Sequence, residues 1–279
     1  MRVSKAGRRA LATLAAAVVI AGSLFGSTAA SAAPPLPARM AALGDSITQA
    51  AMTCSSLTSC PTNSWSTGTT ASIVSHSARL RAAGATALVT YNDAVSGAAS
   101  AALGSQAQKA VSQGAQYVTI EIGANDACTK TVAGMTPTAT FKANVLAGLA
   151  ALAASANQPE IFVASIPNIQ RMYDLSKGSA SARFAWTILQ VCQSMLANPT
   201  STKQADIDRR NAVQQRVNEF NGALAEACAA TAKCRFDNYA VANFAFTSAH
   251  ISTRDYFHPS LAGQAVLAAI TWPTTQWVS

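Results

Sequence analysis

Arg39-Met40-Ala41-Ala42-Leu43-Gly44-Asp45-Ser46 is a short, largely apolar run that stops at a glycine and delivers an acid and a hydroxyl. A run without polar alternation suits a strand buried on both faces, the condition of a parallel sheet. Gly44 ends it in a tight turn. Asp45 and Ser46 are therefore expected at the carboxyl edge of the sheet, where open α/β folds bind ligands. Further runs at 88–91, 117–122, 161–166 and, more weakly, 234–236 are short, apolar and partly β-branched, as strands should be. Between them the alanine-rich stretches 71–83, 98–113, 138–156 and 182–196 favour helix. Strand alternating with helix predicts an α/β fold with a parallel sheet. Over 206–230, Ile207, Val213, Val217, Phe220, Leu224 and Cys228 recur mostly three or four apart, with Arg209, Arg210, Arg216 and Glu226 elsewhere. That pattern predicts an amphipathic helix lying on the core. A last helix over 260–270 follows Pro259.

The chain has 279 residues, half of them apolar, and a formal charge of +8. Arg2, Lys5, Arg8 and Arg9 lead into an apolar run that ends near Phe25, and Ala30-Ser31-Ala32 supplies small residues for cleavage. This predicts a secretory signal over 1–32. The run is too short and too interrupted, by Thr13, Gly22 and Ser23, to anchor in a bilayer. Residues 33–38, rich in alanine and proline, read as a flexible leader, and 39–279 as a single domain. Removing the signal takes away four basic residues and no acidic one, leaving +4, which is no footprint for nucleic acid. No later stretch is long and apolar enough to cross a membrane. Six cysteines in an exported chain predict three disulfides. Many pairings are open; Cys54 with Cys60 and Cys228 with Cys234 each bracket a short loop, which leaves Cys128 with Cys192. No pair has the spacing of a zinc or redox motif, so no metal is expected.

A serine hydroxyl becomes a good nucleophile when an imidazole takes its proton, and the imidazole works best when a carboxylate fixes its tautomer. Ser46, His258 and Asp255 can fill those roles. Asp255 precedes His258 by three residues, a spacing that lets its carboxylate reach Nδ1 and leaves Nε2 for the serine. A tetrahedral intermediate also needs donors aimed at its oxyanion. The Ser46 amide, the Gly97 amide and the Asn125 side chain are the candidates, and both Gly97 and Asn125 follow strands. Each motif taken singly also suits a turn or a helix cap. Their places at the ends of different strands, with roles that complete one another, point to acyl-transfer chemistry.

Four blocks in order, Ala41-Ala42-Leu43-Gly44-Asp45-Ser46, Ala94-Val95-Ser96-Gly97, Gly123-Ala124-Asn125-Asp126 and Asp255-Tyr256-Phe257-His258-Pro259, resemble those of GDSL esterases and lipases in the SGNH hydrolase superfamily. The likeness is strongest to secreted actinomycete enzymes typified by Streptomyces extracellular lipases and esterases, with six cysteines paired sequentially and Trp65 in a loop after the first disulfide. Ile47 stands where the family name has leucine, an apolar exchange. His76 and His250 match no block and are expected to be structural or surface residues. The resemblance implies a flavodoxin-like three-layer α/β/α sandwich with a central parallel sheet and Ser46 as nucleophile. It further implies a secreted, monomeric ester hydrolase without metal or organic cofactor, acting on fatty-acyl or other simple esters and not inserted in a membrane. The same blocks also serve phospholipases and polysaccharide acetyl esterases. A secreted binding protein without activity is the rival class, separable by labelling with a serine-reactive phosphonate.

Overall fold

A computed structural model describes residues 33–278; the signal expected over 1–32 lies outside the described residues. One sheet holds β1 (Arg39–Gly44), β2 (Val89–Asn92), β3 (Tyr117–Glu121), β4 (Glu160–Val163) and β5 (Cys234–Phe236), all parallel in the order β2-β1-β3-β4-β5. The chain starts in β1, moves outward to β2, then crosses back to lay β3 on the other side of β1. That reversal opens a crevice at the carboxyl ends of β1 and β3, the place where such doubly wound sheets take ligands.

The described helices are α1 (His76–Ala82), α2 (Leu103–Ser112), α3 (Ala124–Ala127), α4 (Thr138–Ala153), α5 (Ile169–Ser176), α6 (Ala180–Leu189), α7 (Gln193–Leu196), α8 (Gln204–Ala229), α9 (Ala240–Asn243) and α10 (Leu261–Thr271). Side chains on a strand alternate between faces, and both faces of this sheet are apolar. Ala41, Leu43, Val118, Ile120, Ile161 and Val163 meet α2, α4 and α8, where Phe141 and Phe220 stack 4.1 Å apart. Met40, Tyr117 and Phe162 meet α1 and α10 through Leu80 and Leu267. The result is the expected three-layer α/β/α arrangement.

All five strands appear where the sequence places them, with shifted ends; several helices differ for local reasons. The helix expected over 71–83 starts at His76, because Val74 takes a positive φ of 48° and Ser75 then caps the helix by accepting from the Ala78 amide. The stretch 182–196 is two helices, α6 and α7, broken by Gln190 and Cys192 in the left-handed region. Helix α5 was not foreseen, although Asn168 caps it by accepting from the Arg171 amide at 2.8 Å. Arg210, expected on the outer face of α8, is buried: its guanidinium lies 4.9 Å from the Tyr173 ring and Nη2 donates to the Ser201 carbonyl. Disulfides join Cys54 to Cys60, Cys128 to Cys192 and Cys228 to Cys234.

Candidate active site

β1 carries the chain into a turn that only glycine can open. Gly44 has φ of +135°, and a Cβ there would stand 2.0 Å from the Glu121 carbonyl oxygen of the neighbouring strand. Buried Gln106 of α2 grips both backbone groups of Gly44, accepting from its N–H at 2.7 Å and donating to its carbonyl at 2.9 Å. The turn then closes on itself, with Asp45 Oδ1 accepting from the Ile47 amide and the Gln49 amide donating to the Asp45 carbonyl. Gln264 of α10 fixes the next residue by donating to the Ile47 carbonyl at 2.8 Å, while its Oε1 accepts from the Trp65 amide. Ser46 is left facing the crevice.

The loop before α10 brings the imidazole to meet it. Fully buried Asp255 accepts from the Phe257 and His258 amides through Oδ1, each at 3.1 Å, and pairs with His258 Nδ1 through Oδ2. Tyr256, at a φ of 57°, makes the sharp bend this requires. Ser260 caps α10 by accepting from the Gly263 amide, which holds the loop at a rigid helix start. His258 Nε2 then lies 2.8 Å from Ser46 Oγ, across 212 residues of chain. Burial alone would lower the His258 pKa. The hydrogen bond and charge of Asp255, with the charge of Asp45, outweigh it and hold the pKa above 6.5.

Asn125 stands in α3, which starts immediately beyond β3. Gly123 permits that start with φ of +125°, where a Cβ would meet Ile166 at 2.5 Å and Phe141 at 2.9 Å. The Asn125 amide donates to the Ala98 carbonyl at 3.0 Å and to Asp45 Oδ2 at 3.3 Å. Asp126 beside it accepts from the Ser100 amide and hydroxyl, both at 2.7 Å, and so ties α3 to the segment bearing Gly97. Gly97 has φ of +84° and open space where a side chain would project. The backbone N–H groups of Ser46 and Gly97 meet no protein acceptor among the described residues.

Ser46, Gly97, Asn125, Asp255 and His258 all line one cleft of about 660 Å³, walled on one side by Leu189 to Cys192 and by Cys128. The five candidate residues named from sequence therefore converge. Three supporting residues were missed. Gln106 and Gln264 are polar members of otherwise apolar helix faces, beside Leu103 and Ala107 and beside Leu267 and Ala268, and that interruption was the available signal. Glu121 ends β3 with neither carboxylate oxygen meeting a donor among the described residues. Burial, followed by the charge of Asp45, pushes its pKa well up, so Glu121 keeps its proton. Burial likewise raises Asp45, to about 6 against the opposing pull of the Ile47 amide. His76 lies outside the site, fully buried and hydrogen-bonded to Tyr117 Oη and Thr271 Oγ1, each at 2.8 Å. His250 accepts from the Thr247 amide at the start of a short 3-10 turn.

Among solved structures, the chain is similar to LAE5, an α/β hydrolase enzyme from the metagenome of Lake Arreo, Spain, at 15% identity and a TM-score of 0.54, covering 87% of this chain and 96% of that one. It is similar to a GDSL-like lipase from Parabacteroides merdae at 16% identity and a TM-score of 0.51, covering 85% and 94%. The extracellular lipase of Streptomyces rimosus aligns at 18% identity and a TM-score of 0.47, covering 85% and 99%. No curated protein sequence matches the chain. Residues 42–266 match the GDSL-like lipase/acylhydrolase family, a span that takes in Gly44 and Ser46 at one end and His258 at the other. The chain thus belongs to the GDSL-like lipase/acylhydrolase family and is a carboxylic ester hydrolase.

Proposed function

We propose that the protein is a secreted serine esterase acting on fatty-acyl and other simple esters through Ser46, His258 and Asp255. The observation that carries this reading is the 2.8 Å contact between Ser46 Oγ and His258 Nε2 at the wall of an open cleft. Neutral His258 takes the hydroxyl proton as Ser46 attacks the ester carbonyl carbon. The oxyanion that forms meets the Ser46 and Gly97 amides and the Asn125 side chain, whose longer bond to Asp45 yields. Each such donor is worth about 3 to 4 kcal/mol in comparable acyl-transfer sites. His258 then passes its proton to the departing alcohol, which leaves acyl-Ser46. Water, deprotonated by His258, attacks the acyl carbon, and collapse frees the acid and restores the serine. Asp255 holds the ring with Nε2 toward Ser46 and stabilises the imidazolium. No step calls for a metal or an organic cofactor.

Three disulfides support an extracellular location, and no described helix is long and apolar enough to cross a membrane. The proposal includes a signal over 1–32, a leader over 33–38 and one monomeric catalytic domain over 39–279, the reading that the sequence motifs support. Ser46→Ala is expected to abolish hydrolysis of a chromogenic ester while leaving thermal unfolding unchanged, since only the nucleophile is lost. More than trace turnover by the purified variant overturns the assignment. Chromogenic esters of increasing chain length, run beside a phospholipid and acetylated xylan, decide among acyl classes.

A further inference from the structure

The four most exposed large apolar side chains among the described residues are Phe184 at 70%, Ile188 at 63%, Val95 at 56% and Leu57 at 52%. All four belong to segments that border the catalytic cleft. Leu57 lines it, Val95 precedes the lining residue Ser96, and Ile188 precedes the lining residue Leu189. Phe184 stands one helical turn before Ile188 on α6. Within α6, buried Ala182 and Trp186 face the core, while Phe184 and Ile188, four apart, form an outward stripe. Single exposed apolar residues are ordinary on protein surfaces. Here the most exposed ones gather beside one opening, which marks an interaction surface. The stretch around α6 is mainly basic: residues 175–205, which include α6 and α7, contain Lys177, Arg183 and Lys203 and no aspartate or glutamate, Lys177 pairing with Asp174 just before it at 2.6 Å and Arg183 standing directly before Phe184. Apolar tips with basic neighbours suit an anionic lipid surface, where the tips enter the headgroup boundary and the cations sit near phosphates.

We propose that α6, with the segments bearing Leu57 and Val95, docks the enzyme on an anionic phospholipid surface, so that an acyl chain passes from the bilayer into the cleft without crossing water. The proposal rests on reading the cleft as an ester-hydrolysing site and adds the state in which the substrate is presented.

The test uses the full mature protein with Phe184→Ser and Ile188→Ser together, both residues lying outside the cleft lining. Cosedimentation with vesicles of phosphatidylglycerol and phosphatidylcholine is read on the Ser46→Ala background, so that binding is separated from turnover. The expected result is vesicle binding by the parent and a loss of at least about tenfold in the double variant, because two apolar side chains that enter the headgroup boundary on docking are removed. Val89→Ser, at the amino end of the edge strand β2, should bind as the parent does. In the Ser46 enzyme the same pair should leave hydrolysis of a water-soluble acetate ester within twofold and lower hydrolysis of vesicle-borne phospholipid in step with binding. Equal binding by parent and double variant overturns the docking surface. So does a parent that binds no vesicles, including one that instead forms a dimer which the double variant abolishes. Failure on the soluble acetate ester by the unsubstituted enzyme would overturn the esterase reading itself, a separate outcome.

Discussion

Asn125 donates two hydrogen bonds in the resting site, to the Ala98 carbonyl and to Asp45 Oδ2, so its amide is held in place before substrate arrives. A donor held in that way costs little to reorganise when charge develops. Asn125→Ala is expected to lower kcat by about 10²- to 10³-fold with little change in KM, read by steady-state kinetics. A change confined to KM would move Asn125 from oxyanion stabilisation to substrate binding. His258 must be neutral to accept the serine proton, and Asp255 and Asp45 hold its pKa above 6.5. The acid limb of kcat/KM is therefore expected above 6.5, with activity falling as pH drops through it. Asp255→Asn removes the main groups that raise the pKa, so the limb should move to lower pH as kcat falls; a limb that stays in place would belong to another group. At this scale the sequence was informative for residues whose chemistry is written in local motifs, Ser46, Gly97, Asn125, Asp255 and His258. It was silent on Gln106, Gln264 and Glu121, whose roles arise from partners brought close only by folding, such as Gln264 and the Ile47 carbonyl, 217 residues apart.

The break between α6 and α7 shows how a covalent constraint overrides helix propensity. Ala182 to Leu196 has the composition of one helix, yet Cys192 is bonded to Cys128, and the backbone turns left-handed at Gln190 and Cys192 to reach it. Composition reports propensity and carries no record of where a partner cysteine will stand, so this boundary was not legible beforehand. The pairing itself was legible because the other four cysteines sit in two close pairs. Both Cys128 and Cys192 line the cleft, so the bond serves the shape of the site as well as stability. Joining residues 64 apart, it should stabilise by about 4 kcal/mol in the chain-entropy model. Replacing both cysteines by serine is expected to lower stability by about that amount in denaturant unfolding and to raise KM for esters. A variant with full stability would show that packing of α7 on α8 holds this wall unaided.

Across the whole molecule, acid stability is set by buried groups with opposed signs. His76, among Trp65, Phe162 and Trp272, is pushed down to about 3, chiefly by burial. The unfolded chain binds its proton near 6.5, so the stability His76 supplies is fully present above 6.5 and is lost as pH falls toward about 3. Asp45 acts in reverse: raised to about 6, it supplies stability that is complete below 3.8 and lost as pH rises through about 6. His76→Gln should therefore lower Tm at neutral pH yet flatten its fall between pH 6.5 and about 4. Identical slopes in the two proteins would show that His76 does not couple protonation to unfolding. The parallel sheet could be anticipated from the alternation of apolar runs and alanine-rich helices, whereas its strand order could not, and the sequence held no trace of which buried groups would titrate. The separation of Ser46 from His258 by 212 residues has a consequence for synthesis and proteolysis. A chain emerging amino end first completes the five described strands by Phe236, well before Asp255 and His258 appear. A product stopped or clipped between those points would keep every described strand and Ser46 but lack the imidazole, so on the proposed mechanism catalytic competence waits for the loop before α10.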